Sequence, residues 1–309
     1  MLIGHSKIIA DLKRLAKSGG LSHGYIFFGP SMVGKRTTAQ ALAKFLEKGS
    51  PSKFLPGKSW DGKFEALREG EPLQDSMTID VAFARRLNPE KKSDEIGIDA
   101  VRELKGFLWQ KPGASARRTA IIDDGELLTA EAQNALLKIT EEPPQSSLLI
   151  LITNDIDGLL PTISSRLQKI YFSTVPEKEI FAWLTESATE EKPVGAKARA
   201  DISSLVAKSA NKPGLAWRMA HDEEFRAHLK SAQNLLKSTS GERKEMLKKM
   251  MDDEAFDLGR LLDAMILAVA AEGFADAKRI ARWHKFLALR QNVANYNLNP
   301  KLQMENLFT

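Results

Sequence analysis

The sequence predicts an α/β fold, a parallel sheet wound with helices on both faces, followed by a long all-helical part. Three observations predict it. Short, almost wholly apolar runs alternate with helical patterns up to about Phe172. A glycine-rich loop joins the first such run to the first helical stretch after it. Beyond Phe172 the strand pattern stops and helical periodicity continues toward the C-terminus.

The strand candidates are Tyr25 to Phe28, Met77 to Val81, Thr119 to Ile122, Leu148 to Thr153 and Lys169 to Phe172. Continuous apolar runs of this length suit strands covered on both faces, which is the signature of a parallel sheet. Helical stretches intervene at Arg36 to Lys48, Ile98 to Gln110 and Ala130 to Glu141. Ser50 to Asp75 is rich in Gly, Pro and Lys and reads as a surface insertion. In the second part, helices are expected at Pro176 to Thr185, Asp201 to Ala210 and Gly214 to His221, the last opened by Pro213. Glu186 to Ala200 is polar and reads as a loop or a frayed helix. From about Asp222 the chain is helical, with an apolar stretch at Leu258 to Ala271 and an amphipathic one at Asp276 to Asn292.

Composition narrows the function classes. The chain has 309 residues, enough for about two domains. With 45 basic and 40 acidic side chains its formal charge is +5. That mild excess permits contact with nucleic acid, although a solvated surface near neutrality is the simpler account of it. No apolar run reaches 18 residues, so no membrane-spanning helix is expected. The first residues, Met1 to Lys7, carry no apolar signal core. Cysteine is absent, which excludes disulfides, thiol catalysis and Cys-ligated zinc and fits a cytoplasmic location. The histidines at positions 5, 23, 221, 228 and 284 are scattered and suggest no metal site.

Gly29-Pro30-Ser31-Met32-Val33-Gly34-Lys35-Arg36 matches G-x-x-x-x-G-K between a strand and a helix. Gly29 and Gly34 let backbone N–H groups curl around phosphate oxygens, and Lys35 is placed to reach the terminal phosphates. The eighth position is unusual. A hydroxyl belongs there to ligate Mg²⁺, and this chain has Arg36, which has no lone pair to offer. Thr37 and Thr38 are hydroxyls, but they project about 100° and 200° further round the helix. This argues against Mg²⁺-dependent turnover. A second chemical signal is Ile121-Ile122-Asp123-Asp124, an apolar strand ending in two acids. Asp123 suits a metal-holding role. Asp124 stands where a longer Glu would reach the attacking water, and misplacement on that scale costs about a hundredfold in rate.

Asp123 to Thr129, Ala132 to Lys138 and Glu141-Glu142-Pro143-Pro144 together resemble the bacterial clamp-loader ATPases of the AAA+ class. Leu159 to Arg166 is similar to their Ser-Arg-Cys segment, with Leu167 in place of the cysteine. Ile3-Gly4-His5 and Leu21 to Tyr25 are similar to their entry into the nucleotide site. The C-terminal Asn297 to Leu302, with Glu305-Asn306-Leu307, resembles the end of the collar domain of the delta-prime type of subunit.

The resemblance implies an AAA+ domain over residues 1–173, a helical lid over 174–222 and a helical collar over 223–309. It implies partnership with gamma/tau-type ATPase subunits, a delta-type subunit and a sliding clamp, with primed DNA met through the complex. Within the family the delta-prime type is largely a stator that lends an arginine to its neighbour, and Arg166 matches that arginine. Thr153 and Asn154, at a strand end, match a polar sensor of the γ-phosphate. Gly214 stands where active members carry a phosphate-sensing arginine. ATP or ADP is then a static ligand, Mg²⁺ is not expected to act, and the family's four-cysteine zinc module is lost or replaced by residues 50–75. Arg102, Lys105 and Lys111 are candidates for phosphate contacts. Two alternatives stay open. One is an active gamma-type ATPase in which Thr37 supplies the hydroxyl; the other is a scaffold that binds no nucleotide, Arg36 filling the phosphate site.

Overall fold

The computed structural model describes residues 2–49, 65–67, 71–90, 95–189, 196–252, 256–271 and 277–295. The chain divides into two compact units, residues 1–193 with 211–214 and residues 194–210 with 215–309.

The first unit runs α1 (Ser6–Ser18), β1 (Gly24–Phe28), α2 (Lys35–Gly49), β2 (Ser76–Ile79), α3 (Val81–Leu87), α4 (Ile98–Leu108) and β3 (Arg118–Ile122). A 3₁₀ turn at Gly125–Leu127 leads into α5 (Ala130–Glu141), β4 (Ser147–Thr153), α6 (Pro161–Ser164), β5 (Gln168–Tyr171) and α7 (Glu177–Thr189). The five strands form one sheet in the order β2-β3-β4-β1-β5, and every pairing is parallel.

Side chains alternate across this sheet. Ile26, Ala120, Ile122, Leu149 and Leu151 pack on one face with Leu104 of α4 and Leu136 of α5. Phe27, Ile121, Leu148, Ile150 and Ile152 pack on the other with Leu12 of α1 and Leu42 and Phe45 of α2. Both faces are covered, so the strands need no polar face, and that is why they read as unbroken apolar runs. Each such Leu or Ile taken fully out of water contributes about 1.5–3 kcal/mol.

The parallel α/β expectation holds. Three helices were not anticipated: α1, α3 and the single turn α6. Val81, expected at the end of a strand, opens α3 instead. Asp80 caps that helix by accepting the Phe83 N–H at 2.9 Å, which stops β2 at Ile79. The polar stretch after Glu186 is helical through Thr189 and again from Ala196; residues 190–195 lie outside the described residues.

Of the expected insertion over 50–75, residues 65–67 and 71–75 are described, and they are tied down. Glu71 pairs with Lys44 of α2 at 3.0 Å. Glu47 accepts the N–H groups of Gln74 and Asp75, both at 2.9 Å. Asp75 is 3% exposed and accepts the N–H groups of Gly113 at 2.9 Å and of Ala114 and Ser115 at 2.7 Å. Burial pushes its carboxyl upward, and the three backbone donors more than reverse this, so its pKa ends below the ordinary value.

The second unit is helical: α8 (Ala196–Lys208), α9 (Pro213–His221), α10 (Glu223–Lys237), α11 (Ser240–Met251), α12 (Leu258–Ala271) and α13 (Ala277–Asn295). The first two residues of α9 group with the sheet unit. Leu235, Leu261, Leu262, Met265, Phe286 and Leu289 form the core of α10, α12 and α13. Asp222 caps α10 through the Phe225 N–H at 2.8 Å, and Thr239 with Glu242 forms a capping box on α11. The segment Asn297 to Leu307, which carries the collar resemblance, lies outside the described residues.

Candidate functional site at the sheet edge

The site lies at the carboxyl ends of β1, β3 and β4. The sheet order changes direction at β1, which lies between β4 and β5 rather than beside β2, and such a switch point leaves a crevice for a ligand. Phe28 is in register with Thr153, so the loop leaving β1 meets the residues leaving β4.

That loop is built on backbone conformations with positive φ: Gly29 at 131°, Met32 at 61° and Gly34 at 104°. At Gly29 only glycine fits, because a Cβ would stand 2.2 Å from the Phe172 carbonyl oxygen. His5 anchors the far side. Its Nε2 lies 3.0 Å from the Val33 carbonyl, its ring packs edge-on to Phe172, and burial holds its pKa below the ordinary value. The neutral ring then donates its Nε2 proton to Val33.

Lys35 is 6% exposed. Its ammonium donates to the Gly29 carbonyl at 2.6 Å, the Pro30 carbonyl at 2.7 Å and Asn154 Oδ1 at 2.9 Å. An ammonium has three protons, so all of them are engaged within the chain. Burial lowers its pKa to about 8, against the pull of Glu126, Asp123 and Asp124. Asn154 turns its amide to Glu126 Oε1. Glu126 Oε2 lies 2.8 Å from the Thr153 hydroxyl and accepts the Asn154 backbone N–H at 3.2 Å. The expected sensor pair is thus joined to Lys35 directly through Asn154, and the Glu126 carboxylate ties Asn154 to Thr153.

Arg36 is held by two acids. Its Nη1 donates to Asp80 Oδ2 at 3.1 Å and Asp123 Oδ2 at 3.0 Å. Thr37 is half-buried on the next position of α2, and the Thr38 hydroxyl folds back onto the Gly34 carbonyl at 2.9 Å. Asp124 has a left-handed backbone, φ 55°. Burial, with Asp123 and Glu126 nearby, raises its pKa to about 6.

Gly214 explains its own presence. Its N–H donates to the Met32 carbonyl at 2.9 Å, and a Cβ there would stand 3.0 Å from the same oxygen. A side chain at that position would press on the phosphate loop. Nearby, Lys212 is half-buried, its pKa lowered by burial, and its charge bears on Lys35.

Arg166 lies apart from these groups. Its Nη1 donates to the Thr162 carbonyl at 2.6 Å, and its Nη2 pairs with Glu141 at 2.9 Å. The Arg166 side chain is 37% exposed and that of Glu141 49%. On α4, Arg102 pairs with Asp99, and the Lys105 ammonium lies 5.4 Å from the ring centre of the exposed Trp109. Lys111 is exposed just beyond it.

The sequence reading passes over Asp80, Glu126 and Lys212. An acid directly before Val81-Ala-Phe-Ala-Arg-Arg-Leu is a helix-cap signal that points to Asp80. Nothing local marks Glu126 or Lys212, because each matters only through the residue facing it.

Gly29, Gly34 and Lys35 are the residues that could hold a phosphate group, once Lys35 leaves its own carbonyls. The metal side does not fit, since a guanidinium faces the two acids. No group of three or more His, Asp or Glu side chains placed to hold a metal ion is present among the described residues. Among the described residues, no helix is long and apolar enough to cross a membrane.

Known proteins resemble this chain over the same region. The subunit gamma/tau of DNA polymerase III from Mycobacterium tuberculosis is 28% identical over 190 residues, 62% of this chain and 31% of that protein. The DNA polymerase III subunit delta′ from Pseudomonas aeruginosa is 29% identical over 198 residues, 64% of this chain and 56% of that one. The chain therefore spans about a third to just over half the length of these curated relatives. A gamma subunit-related protein of Thermotoga maritima superimposes with a TM-score of 0.58 at 21% identity, covering 96% of both chains, and so has the same fold. The family model described as DNA polymerase III, delta subunit, matches residues 4–176. That match exceeds half the chain, and the protein belongs to this family of bacterial DNA polymerase III clamp-loader subunits.

Proposed function

We propose that this clamp-loader-related chain is a stator of the delta-prime type, which assists a neighbouring ATPase subunit and does not turn over ATP itself. The observation that carries the reading is the state of Lys35. All three of its protons rest on the loop's own carbonyls and on Asn154. A phosphate must displace those contacts, so nucleotide in this pocket is held weakly and statically. Asp124, a methylene shorter than the Glu that would reach the attacking water, is a poorly placed activator of water.

Arg166 is the group offered to the neighbour. It is retained, half-exposed and held by the Thr162 carbonyl and by an ion pair with Glu141 that a phosphate can replace. A planar guanidinium meets phosphate oxygens in a fixed fork and stabilises charge that grows as the γ-phosphoryl group leaves. Supplied in trans, such a group is worth roughly 10³–10⁵ in rate. The proposed partners are gamma/tau-type and delta-type subunits and a sliding clamp, with primed DNA reached through the assembly.

Co-purification with a gamma/tau-type subunit and a clamp, with ATPase measured for each alone and together, tests the reading. The expected result is no hydrolysis by this chain alone and faster hydrolysis by the partner in its presence. Mg²⁺-dependent hydrolysis by this chain that disappears in Lys35→Ala would instead make it a motor. A reading in which the pocket takes no nucleotide draws on the same Lys35 contacts; equilibrium binding of a fluorescent ATP analogue separates it.

A further inference from the structure

We propose that Arg36 is a built-in cation, and that Asp80 and Asp123 form a divalent-metal site which the chain itself has filled. The inference takes from the reading above only that the loop is a degenerate nucleotide pocket.

Ile79 and Ile122 are register partners on adjacent parallel strands, and the Asp123 N–H donates to the Ile79 carbonyl at 2.9 Å. The next residue on each strand is an acid, so two carboxylates emerge side by side. Each has one oxygen fixed by the backbone. Asp80 Oδ1 accepts the Phe83 N–H at 2.9 Å, and Asp123 Oδ1 accepts the Asp124 N–H at 3.2 Å. The remaining oxygen of each, Oδ2, faces the same Arg36 Nη1, at 3.1 Å and 3.0 Å. Like charges side by side on neighbouring strands repel, and the pair needs a cation.

A pair of fixed carboxylates, each turning one free oxygen to a common point, is an arrangement that hard divalent ions accept. The guanidinium holds that point with donors alone. It carries one charge where the ion carries two, and it belongs to α2, so it cannot leave. The outer part of Arg36 is open to water, its side chain being 46% exposed, so an ion has a path to the acids once the guanidinium is gone. Removing the guanidinium should therefore turn a metal-indifferent protein into a metal-binding one.

The test is a Mn²⁺ titration of the full chain without nucleotide, followed by electron paramagnetic resonance, with melting temperatures in EDTA and in Mn²⁺. Wild type should bind no Mn²⁺ at this place and melt at the same temperature in both. Arg36→Ala should gain one Mn²⁺ site, lost again in Arg36→Ala/Asp123→Asn. Arg36→Ala should melt lower in EDTA and recover with Mn²⁺. Arg36→Gln, which keeps the side chain's length without its charge, should show the same metal dependence. A wild-type site that disappears in Asp123→Asn would overturn the proposal. So would Arg36 variants that fold without gaining a site, or that stay unfolded whether or not Mn²⁺ is present. These readouts need no partner subunit, so they stand or fall separately from the stator reading.

Discussion

The phosphate loop and the turn carrying Arg166 use the same kind of group, a cation held by acceptors of its own chain, to opposite ends. Lys35 is 6% exposed and has its protons on its own loop and Asn154, while Arg36 is clasped by two acids. Arg166 rests on one half-exposed ion pair and one carbonyl. The first region satisfies its charges internally, so a ligand must compete with the protein for each of them. The second holds its charge loosely at a surface, where exchanging Glu141 for a phosphate costs little. What a charged residue can do follows from how completely its own chain has neutralised it, more than from its motif.

The contrast can be broken or sharpened by substitution. The largest expected effect is on a neighbour: Arg166→Ala should slow turnover at the partner site it serves by about 10³-fold or more. The fold should stay intact, because an exposed ion pair contributes at most about 1 kcal/mol. Circular dichroism and partner ATPase together read both halves of that statement.

Asp75→Ala should cost the fold about 3 kcal/mol in denaturant unfolding, since three backbone N–H groups, that of Ser115 buried, lose a charged acceptor. At temperatures where the variant is folded, partner turnover should be unchanged, separating a carboxylate that braces the sheet unit from those at the site. Gly214→Arg should destabilise by about 1–3 kcal/mol through its clash with Met32 and restore no hydrolysis. A gain of Mg²⁺-dependent ATPase there would show that the pocket was one residue short of working.

The smallest effect is a pH signature. The folded pKa of Asp124, about 6, lies above its ordinary 3.8. Between those values the folded state binds more protons than the unfolded one, so stability falls as pH rises through that window, and the penalty is complete above it. Asp124→Asn should therefore raise stability at pH 8 by about 1 kcal/mol, allowing for the partial exposure of the side chain, and change little at pH 4. Asparagine tolerates the left-handed backbone found there, so the comparison is clean. Melting temperatures across the pH range measure it.

Much of the sheet unit is legible in residue order. Helix α5 lies at Ala130–Glu141, where its apolar spacing and the Thr129 cap place it, and β4 differs from its expected span only by including Ser147. The spacing of Ile8, Leu12, Leu15 and Ala16 also marks α1 to a reader who looks for it. The cap at Asp80 is harder to see, because Met77 to Val81 also reads as a strand. The loop and the acids at the end of β3 stand out because their chemistry is local. The Arg36 clasp is not legible: it depends on β2 lying beside β3 in a particular register, and no local pattern records strand order. The link from Lys35 through Asn154 to Glu126 is hidden for the same reason, since β4 must adjoin β1 before Asn154 can meet the loop.

The central claim is that this chain's contribution to ATP turnover leaves through Arg166 and not through its own loop. The most direct test is the ATPase rate of a reconstituted complex with a gamma/tau-type subunit, comparing Arg166→Ala and Lys35→Ala in this chain alone. The account predicts a rate lost with the first and kept with the second. A rate kept with Arg166→Ala and lost with Lys35→Ala would contradict it.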